Sequence, residues 1–181
     1  MEQDQEYYRR YLAGDGDALA FLIEKYRDRL IFFLRRFLHS PDDAEEVAAE
    51  CFAELAIHPL RYRFAGSVKT YLFSIGRHKA LNLSKRQAKF PSAPLEAADL
   101  SQEYRTFEEE IFRREEARQL HCALDQLPED YRTVLHLLYF EELSYEEAAR
   151  VMKKNRKQID NLAYRAKQSL KALLEKEGDG L

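Results

Sequence analysis

The chain has 181 residues, 45% of them apolar, and a formal charge of −3, which fits one ordinary globular domain or two small ones and excludes a disordered chain. No run of about eighteen apolar residues predicts a membrane span, and the N-terminus lacks an apolar stretch of signal-peptide length. We therefore expect a cytoplasmic protein. The two cysteines, far apart in sequence, predict neither a disulfide framework nor a structural zinc site.

The small net charge conceals blocks of opposite sign. Residues 1–89 carry a net charge of +2, residues 90–149 of −10 and residues 150–181 of +5. Residues 61–89 hold eight Lys and Arg, no Asp or Glu, and several aromatic residues. A block of one sign is often no more than a solvated helix face, but two basic zones favour a nucleic-acid partner.

Apolar residues at helical spacing predict an all-helical first half. Steps of three and four between them predict helices over about residues 17–38, 41–58 and 67–86. Ser40 is the expected N-cap of the second helix, with Pro41 in its first turn. No alternation of apolar and polar residues lasts long enough to predict a sheet.

Acidic residues form an outward stripe on the second predicted helix. Its apolar face is used for packing, which leaves Asp43, Glu46 and Glu50 at steps of three and four on the other side. Uncompensated carboxylates there are suited to a basic partner. They make a poor metal cluster, because no histidine lies in register with them.

The basic stretch at residues 61–89 predicts contact with single-stranded nucleic acid, because cations follow a phosphate backbone while aromatic rings stack on unpaired bases. The alternative for Tyr62 and Tyr71 is a place in the core. The candidate residues are Tyr62, Arg63, Phe64, Lys69, Tyr71, Arg77, His78, Lys79, Lys85 and Arg86.

A change of composition divides the chain into two domains. Residues 90–105 hold two prolines among small and acidic residues without a sustained period, which indicates a flexible linker. We therefore predict an N-terminal helical domain at 1–89, the linker at 90–105 and a second helical domain at 106–181. In the second domain, helices are expected from about 106 to 126 and from Pro128 to about 142.

The end of the chain predicts a helix-turn-helix. Ser144 and Glu147 form a capping box, and a short polar turn precedes a longer helix with exposed bases. A soluble helical hairpin is the alternative, and Asp160 favours it by repelling phosphate. The candidates for base edges are Arg156, Lys157, Gln158 and Asn161, and those for phosphate are Lys154, Arg165 and Lys167.

Three segments resemble motifs of the bacterial sigma factors of the extracytoplasmic-function class, which direct RNA polymerase to promoters. The polymerase-binding helix of that family, often DAEDVVQETF, resembles DDAEEVAAECFAEL. The family motif FRGESSLKTWLYRIARNLAL resembles YRFAGSVKTYLFSIGRHKAL. The family motif LSYEEIAEILGISVGTVKSRLHRARKRL resembles LSYEEAARVMKKNRKQIDNLAYRAKQSL. The three occur in the family order, and the likeness covers nearly the whole chain.

The resemblance implies partners and roles. Core RNA polymerase would be held at the clamp of its largest subunit by Asp43, Glu46, Glu50 and Phe52. The basic stretch would capture a base of the melted minus-ten element, and the last helix would contact the minus-thirty-five duplex. An anti-sigma factor is a further implied partner. The chain would use no cofactor or metal and would not be an enzyme, since polymerase supplies the catalysis.

Some positions depart from the family pattern. Ala49 stands where Gln is common and Tyr71 where Trp is common. Lys153 replaces the usual turn glycine, so a positive φ there would carry a strain on the order of 1 kcal/mol. Asp160 and Leu162 stand where Lys and Arg are frequent, which weakens the expectation for the minus-thirty-five element.

Two other functions are considered. One is a helix-turn-helix regulator whose first half binds a protein or ligand and never touches polymerase. The other is a nuclease that uses the acids at residues 42–50, although the sequence offers no nucleophile, phosphate-gripping glycine loop or histidine-carboxylate set for it.

Overall fold

The computed structural model describes residues 2–62, 66–89 and 115–178, and every regular element within them is a helix. The predicted all-helical fold class is therefore confirmed. Two compact units account for the described residues, the first built chiefly from residues up to 89 and the second chiefly from 115–178. The predicted linker lies outside the described residues, so the domain boundaries stay a prediction.

The described part of the first unit is built from helices whose order follows the chain. They are α1 (Glu2–Leu12), α2 (Gly16–Leu34), α3 (Pro41–Ile57), α4 (Pro59–Tyr62) and α5 (Val68–Lys89). The three predicted helices are α2, α3 and α5, whereas α1 and α4 were not predicted. Helix α2 ends before the predicted limit, because Phe37 and Leu38 continue the apolar pattern as buried residues of the following turn.

Short polar side chains start the main helices of the first unit. The Ser40 hydroxyl accepts a hydrogen bond from the amide of Asp43 at 3.4 Å, and Pro41 is the first residue of α3. This confirms the predicted cap. Ser67 does the same for α5 by accepting from the amide of Thr70 at 3.1 Å.

The core of the first unit lies where α2, α3 and α5 meet. Gly76 of α5 marks the closest approach, because a Cβ placed there would lie 3.1 Å from Leu30, 3.3 Å from Leu34 and 3.6 Å from Cys51. All three of these side chains are fully buried. The small residue lets α5 pack directly on the other two helices, which fixes the positions of the charged side chains on its outer face.

Helix α1 supplies hydrogen-bond donors to the last turn of α3. Leu55 has Pro59 four residues later, and proline has no amide hydrogen to donate to the Leu55 carbonyl. The Tyr8 hydroxyl donates to that carbonyl instead, at 2.7 Å, and the Tyr11 hydroxyl donates to the Ala56 carbonyl at 3.3 Å. Burial raises the pKa of Tyr8 to about 12, so this donor keeps its proton.

The second unit contains the predicted helix-turn-helix. Its described helices are α6 (Glu115–Asp125), α7 (Glu129–Leu135), α8 (Tyr145–Met152) and α9 (Arg156–Gly178), with a π-helical turn at His136–Phe140. The part of the first helix predicted from residue 106 lies outside the described residues. Helix α7 ends earlier than predicted, because the π-helical turn replaces its last residues. That turn brings His136 and Glu141 together as a buried pair, 3.4 Å from Nε2 to Oε1.

Each helix of the helix-turn-helix begins with a capping box, and one residue of the turn between them is strained. Ser144 and Glu147 exchange backbone and side-chain hydrogen bonds at 3.0 to 3.2 Å, which confirms the first box. The second box was not predicted: Asn155 and Gln158 each accept a hydrogen bond from the amide of the other at 2.8 Å. Lys153 has a φ of +52°, so the left-handed conformation expected of a turn glycine is adopted by a lysine.

Replacing Tyr8 by Phe should lower the free energy of unfolding by about 1–3 kcal/mol, because the Leu55 carbonyl would be left buried without a donor. Urea unfolding followed by circular dichroism measures the difference. Tyr7→Phe is the matched control, since its hydroxyl has no hydrogen bond within the described residues. Equal stability of the two variants would contradict the role given to Tyr8.

Candidate functional site

The acidic stripe of α3 is only partly uncompensated. The Asp43 carboxylate accepts a hydrogen bond from Gln87 Nε2 at 2.7 Å, and Glu50 lies 2.8 Å from the ammonium group of Lys79. The expectation of three free carboxylates is therefore wrong for these two, because α5 supplies their partners. Glu46 is exposed and has no ion pair within the described part of the chain. Of the three predicted acids, Glu46 is therefore the one that stays uncompensated within the described residues.

An apolar groove between α2 and α3 lies beside Glu46. Leu19 and Ile23 line one side of it, and Ala49 and Ala53 line the other. Phe52, a predicted polymerase contact, lines it as well but is only 6% exposed. Sequence reasoning missed this groove. The signal for it was the run of alanines on α3, which are too small to fill the space between the helices.

Lys79 joins two predicted sites that the sequence treated separately. Its ammonium nitrogen lies 2.8 Å from Glu50 and 3.6 Å from Glu54, and Arg61 lies 3.0 Å from Glu54. The hydrogen bond with Glu50 raises the pKa of Lys79. Burial by itself would raise the pKa of Glu54, but Arg61 and Lys79 together lower it. A predicted DNA contact and a predicted polymerase contact are thus each other's partners.

The tyrosines of the basic stretch have different environments. Tyr62 is 4% exposed, its hydroxyl donates to the carbonyl of Gly66 at 2.6 Å, and its ring contacts those of Tyr8 and Tyr71. Its ring therefore offers no free face to a base, and the core alternative is correct for Tyr62. Tyr71 is half-buried. Arg63 and Phe64 lie outside the described residues.

The bases of α5 fall into a half-buried group and an exposed group. Lys69 and Arg77 are half-buried, and the Arg77 guanidinium lies 5.9 Å from the centre of the Phe37 ring. His78, Lys85 and Arg86 are exposed. His78 and Lys85 are seven residues apart on one side of the helix, with Arg86 next to that line. These three residues form the exposed cationic face of α5, whose charge comes from Lys85 and Arg86.

Four of the predicted minus-thirty-five residues have partners within the second unit. The Lys154 ammonium group lies 3.1 Å from Asp130, and Lys167 lies 5.1 Å from the centre of the Tyr139 ring. Gln158 belongs to the second capping box. Arg156 pairs with Glu146 and, at 3.3 Å, with Asp160. Asp160 therefore neutralises a neighbouring arginine, which reduces the repulsion of phosphate expected from the sequence.

The other three predicted residues share a free surface on α9. Lys157, Asn161 and Arg165 follow one another at steps of four, all are exposed, and none has a hydrogen bond or ion pair with another described residue. We call these residues the α9 face. Its two cations and one amide are the groups that contact phosphates and base edges in a major groove.

Metal and membrane sites were also considered. Among the described residues, no group of three or more His, Cys, Asp or Glu is arranged to hold a metal ion. Burial raises the pKa of the Cys51 thiol to about 12, so this residue remains a protonated core side chain. No helix in the described ranges has the length and apolar character of a membrane span.

Comparison with known proteins gives matches over both units. The family model of sigma-70 region 2 matches residues 22–90, and that of sigma-70 region 4 matches residues 117–170. The RNA polymerase sigma-H factor of Pseudomonas aeruginosa is 30% identical over 97% of this chain and 95% of its own length. The ECF RNA polymerase sigma-E factor of Haemophilus influenzae is 28% identical over 82% of this chain and 83% of its own.

Solved structures share the fold. CnrH, determined in complex with the cytosolic domain of CnrY, has a TM-score of 0.66 and 21% identity over 96% of this chain and 97% of its own. The sigma factor RpoE of Bartonella quintana, determined with the anti-sigma factor NepR, has a TM-score of 0.61 and 18% identity over 86% of this chain and 96% of its own.

Replacing Glu54 by Gln should lower the free energy of unfolding by about 1 kcal/mol at pH 7, because Arg61 and Lys79 lose a shared carboxylate. The folded state lowers the pKa of Glu54 from its ordinary value of 4.5. This stabilisation is therefore present above pH 4.5 and is lost as the pH falls through the folded-state pKa. Urea unfolding at pH 7 and at decreasing pH should show the variant and the wild type converging.

The control is Glu46→Gln, which removes an exposed carboxylate without an ion pair on the same helix. It should show a small difference at every pH. If Glu54→Gln were equally destabilising across the range, the ion pairs of Glu54 would not account for its effect.

Proposed function

The chain belongs to the extracytoplasmic-function class of RNA polymerase sigma factors, and we propose that its two units divide the contacts with polymerase and promoter between them. As a sigma factor it binds core RNA polymerase and directs it to start transcription at promoters. The first unit holds polymerase and the melted minus-ten element, and the second holds the minus-thirty-five duplex. The α9 face of the helix-turn-helix is the observation that carries this division.

We propose that polymerase binds the first unit at the apolar groove and Glu46. The groove offers buried apolar contact, and the exposed carboxylate beside it attracts a basic clamp surface. Asp43 and Glu50 lie on the same helix but already contact α5. A polymerase side chain that takes either of them replaces an existing partner, so Glu46 contributes more to binding.

Contact with the melted strand is assigned to the exposed cationic face of α5. Its side chains lie in solvent and supply the salt-dependent phosphate attraction typical of single-strand binding. Tyr71 is the half-buried ring of the stretch and the candidate to stack on a base, while Tyr62 supports it from the core. Lys79 acts chiefly by holding α5 against α3.

The second unit reads duplex DNA through the α9 face in this proposal. A helix-turn-helix places its second helix in the major groove, with the early residues of that helix nearest the bases. Asn161 then contacts a base edge, and Lys157 and Arg165 contact phosphates or guanine. Arg156 and Lys154 position α9 through their ion pairs with α8 and α7.

The remaining roles follow from this assignment. The chain is not itself an enzyme, because polymerase supplies the chemistry, and it works in the cytoplasm where polymerase and promoters are. The solved relatives were determined with CnrY and with the anti-sigma factor NepR. An anti-sigma factor that covers the groove or the α9 face is accordingly a proposed partner of this chain.

Glu46→Lys should weaken binding to core polymerase by about tenfold or more and leave the fold intact, because it places a cation opposite a basic clamp. Co-elution with core polymerase on gel filtration, with a titration for affinity, measures this. Glu24→Lys is the control, an exposed charge reversal on α2 outside the groove. A wild-type chain that fails to bind polymerase would instead support the helix-turn-helix regulator.

The double variant Lys85→Ala, Arg86→Ala should reduce promoter melting on the order of fivefold, since it removes two phosphate-attracting charges from the α5 face. Permanganate reactivity of unpaired thymines, normalised to bound holoenzyme, reports melting. The control pair is Lys171→Ala, Lys176→Ala, at the end of α9. Equal melting by both double variants would remove the α5 face from the minus-ten contact.

A further inference from the structure

One aromatic ring on α9 is largely exposed and has no partner among the described residues. Tyr164 is 66% exposed and makes no hydrogen bond, ring contact or cation contact with another described residue. The other exposed aromatic residues in the described ranges do have such contacts. The Phe21 ring stacks on Tyr7 at 4.1 Å, and the Tyr139 ring lies 5.1 Å from the Lys167 ammonium group.

Tyr164 lies along one edge of the α9 face. It follows Lys157 and Asn161 at steps of seven and three, and Arg165 is adjacent, so all four point to one side of the helix. The opposite side is buried, with Ile159, Ala163 and Ala166 at most 1% exposed. The ring is therefore held on a rigid helix, away from the core and beside the amide and cations of the α9 face.

The chemistry of the major groove gives this ring one apolar target. Base edges there present donors and acceptors, and thymine adds to its O4 acceptor a C5-methyl group, the apolar feature of the groove. Around Tyr164 the α9 face carries an amide and two cations, which serve phosphates and polar base edges. The ring supplies the apolar contact that those side chains lack.

We propose that Tyr164 is a specificity-determining residue that recognises thymine in the minus-thirty-five duplex by packing its ring on the C5-methyl group. The inference rests on the proposed function, because it requires the α9 face to enter the major groove of promoter DNA. It extends that function by assigning recognition of thymine to Tyr164. The ring makes the contact, and the hydroxyl is not needed for it.

The test uses holoenzyme reconstituted from core RNA polymerase and the full chain. Promoter duplexes randomised through the upstream element are selected by wild type, Tyr164→Ala, Tyr164→Phe and the control Gln168→Ala, an exposed neighbour on the same helix. Selected duplexes are then remade with deoxyuridine in place of each thymine, which deletes only the methyl group. Affinity for core polymerase is measured for every variant to show that the fold is retained.

The expected result is a thymine preference at one or two adjacent positions for wild type, Tyr164→Phe and Gln168→Ala, lost in Tyr164→Ala. At those positions deoxyuridine should weaken wild-type binding about fourfold, the effect of one buried methyl group, and leave Tyr164→Ala unchanged.

Three results would overturn the inference. If Tyr164→Ala selects the same sequences as wild type, the thymine contact is absent and the proposed function stands. If Tyr164→Phe loses the preference as well, the hydroxyl and not the ring is responsible. If wild-type holoenzyme selects no upstream sequence, the proposed role of the second unit fails, and the inference fails with it.

Discussion

Lys79 of α5 pairs with the carboxylates of Glu50 and Glu54 on α3, and the binding surfaces proposed for the first unit use the charges that this contact does not neutralise. In sequence, α3 is an acidic helix and α5 a basic one, which predicts that each offers its full charge to a partner. In the folded chain the two helices neutralise part of each other. A partner that takes Glu50 must replace an ammonium group already 2.8 Å away.

Neighbouring helices also neutralise part of each other's charge in the second unit. Bases around the start of α9 face acids of α7 and α8, so Lys154 and Arg156 are paired within the helix-turn-helix while the α9 face remains in solvent. Exposed ion pairs of this kind each contribute little to stability. Their larger effect is on which cations remain free. Lys154 and Arg156 are occupied by neighbouring acids, whereas, among the described residues, Lys157 and Arg165 are not.

Local pattern predicted α2, α3, α5 and the helix-turn-helix, because apolar spacing and capping residues act within a few positions. It missed α1, whose polar sequence becomes helical through contacts such as the hydrogen bond from Tyr8 to Leu55. It also missed the partners of Lys79, which lie twenty-five and twenty-nine residues earlier on another helix. Tyr62 and Tyr71 looked equivalent in sequence, and only packing separates them.

Because a proline follows α3, the eleven-residue helix α1 supports the surface proposed to bind polymerase, although α1 carries none of the predicted contacts. Tyr8 and Tyr11 of α1 donate hydrogen bonds to the terminal carbonyls of α3, the helix that carries Glu46. Removing α1 would leave these carbonyls without their donors, and the C-terminal end of α3 would fray. A fall in polymerase affinity after such a truncation would then come from the loss of support for α3 and not from the loss of a direct contact.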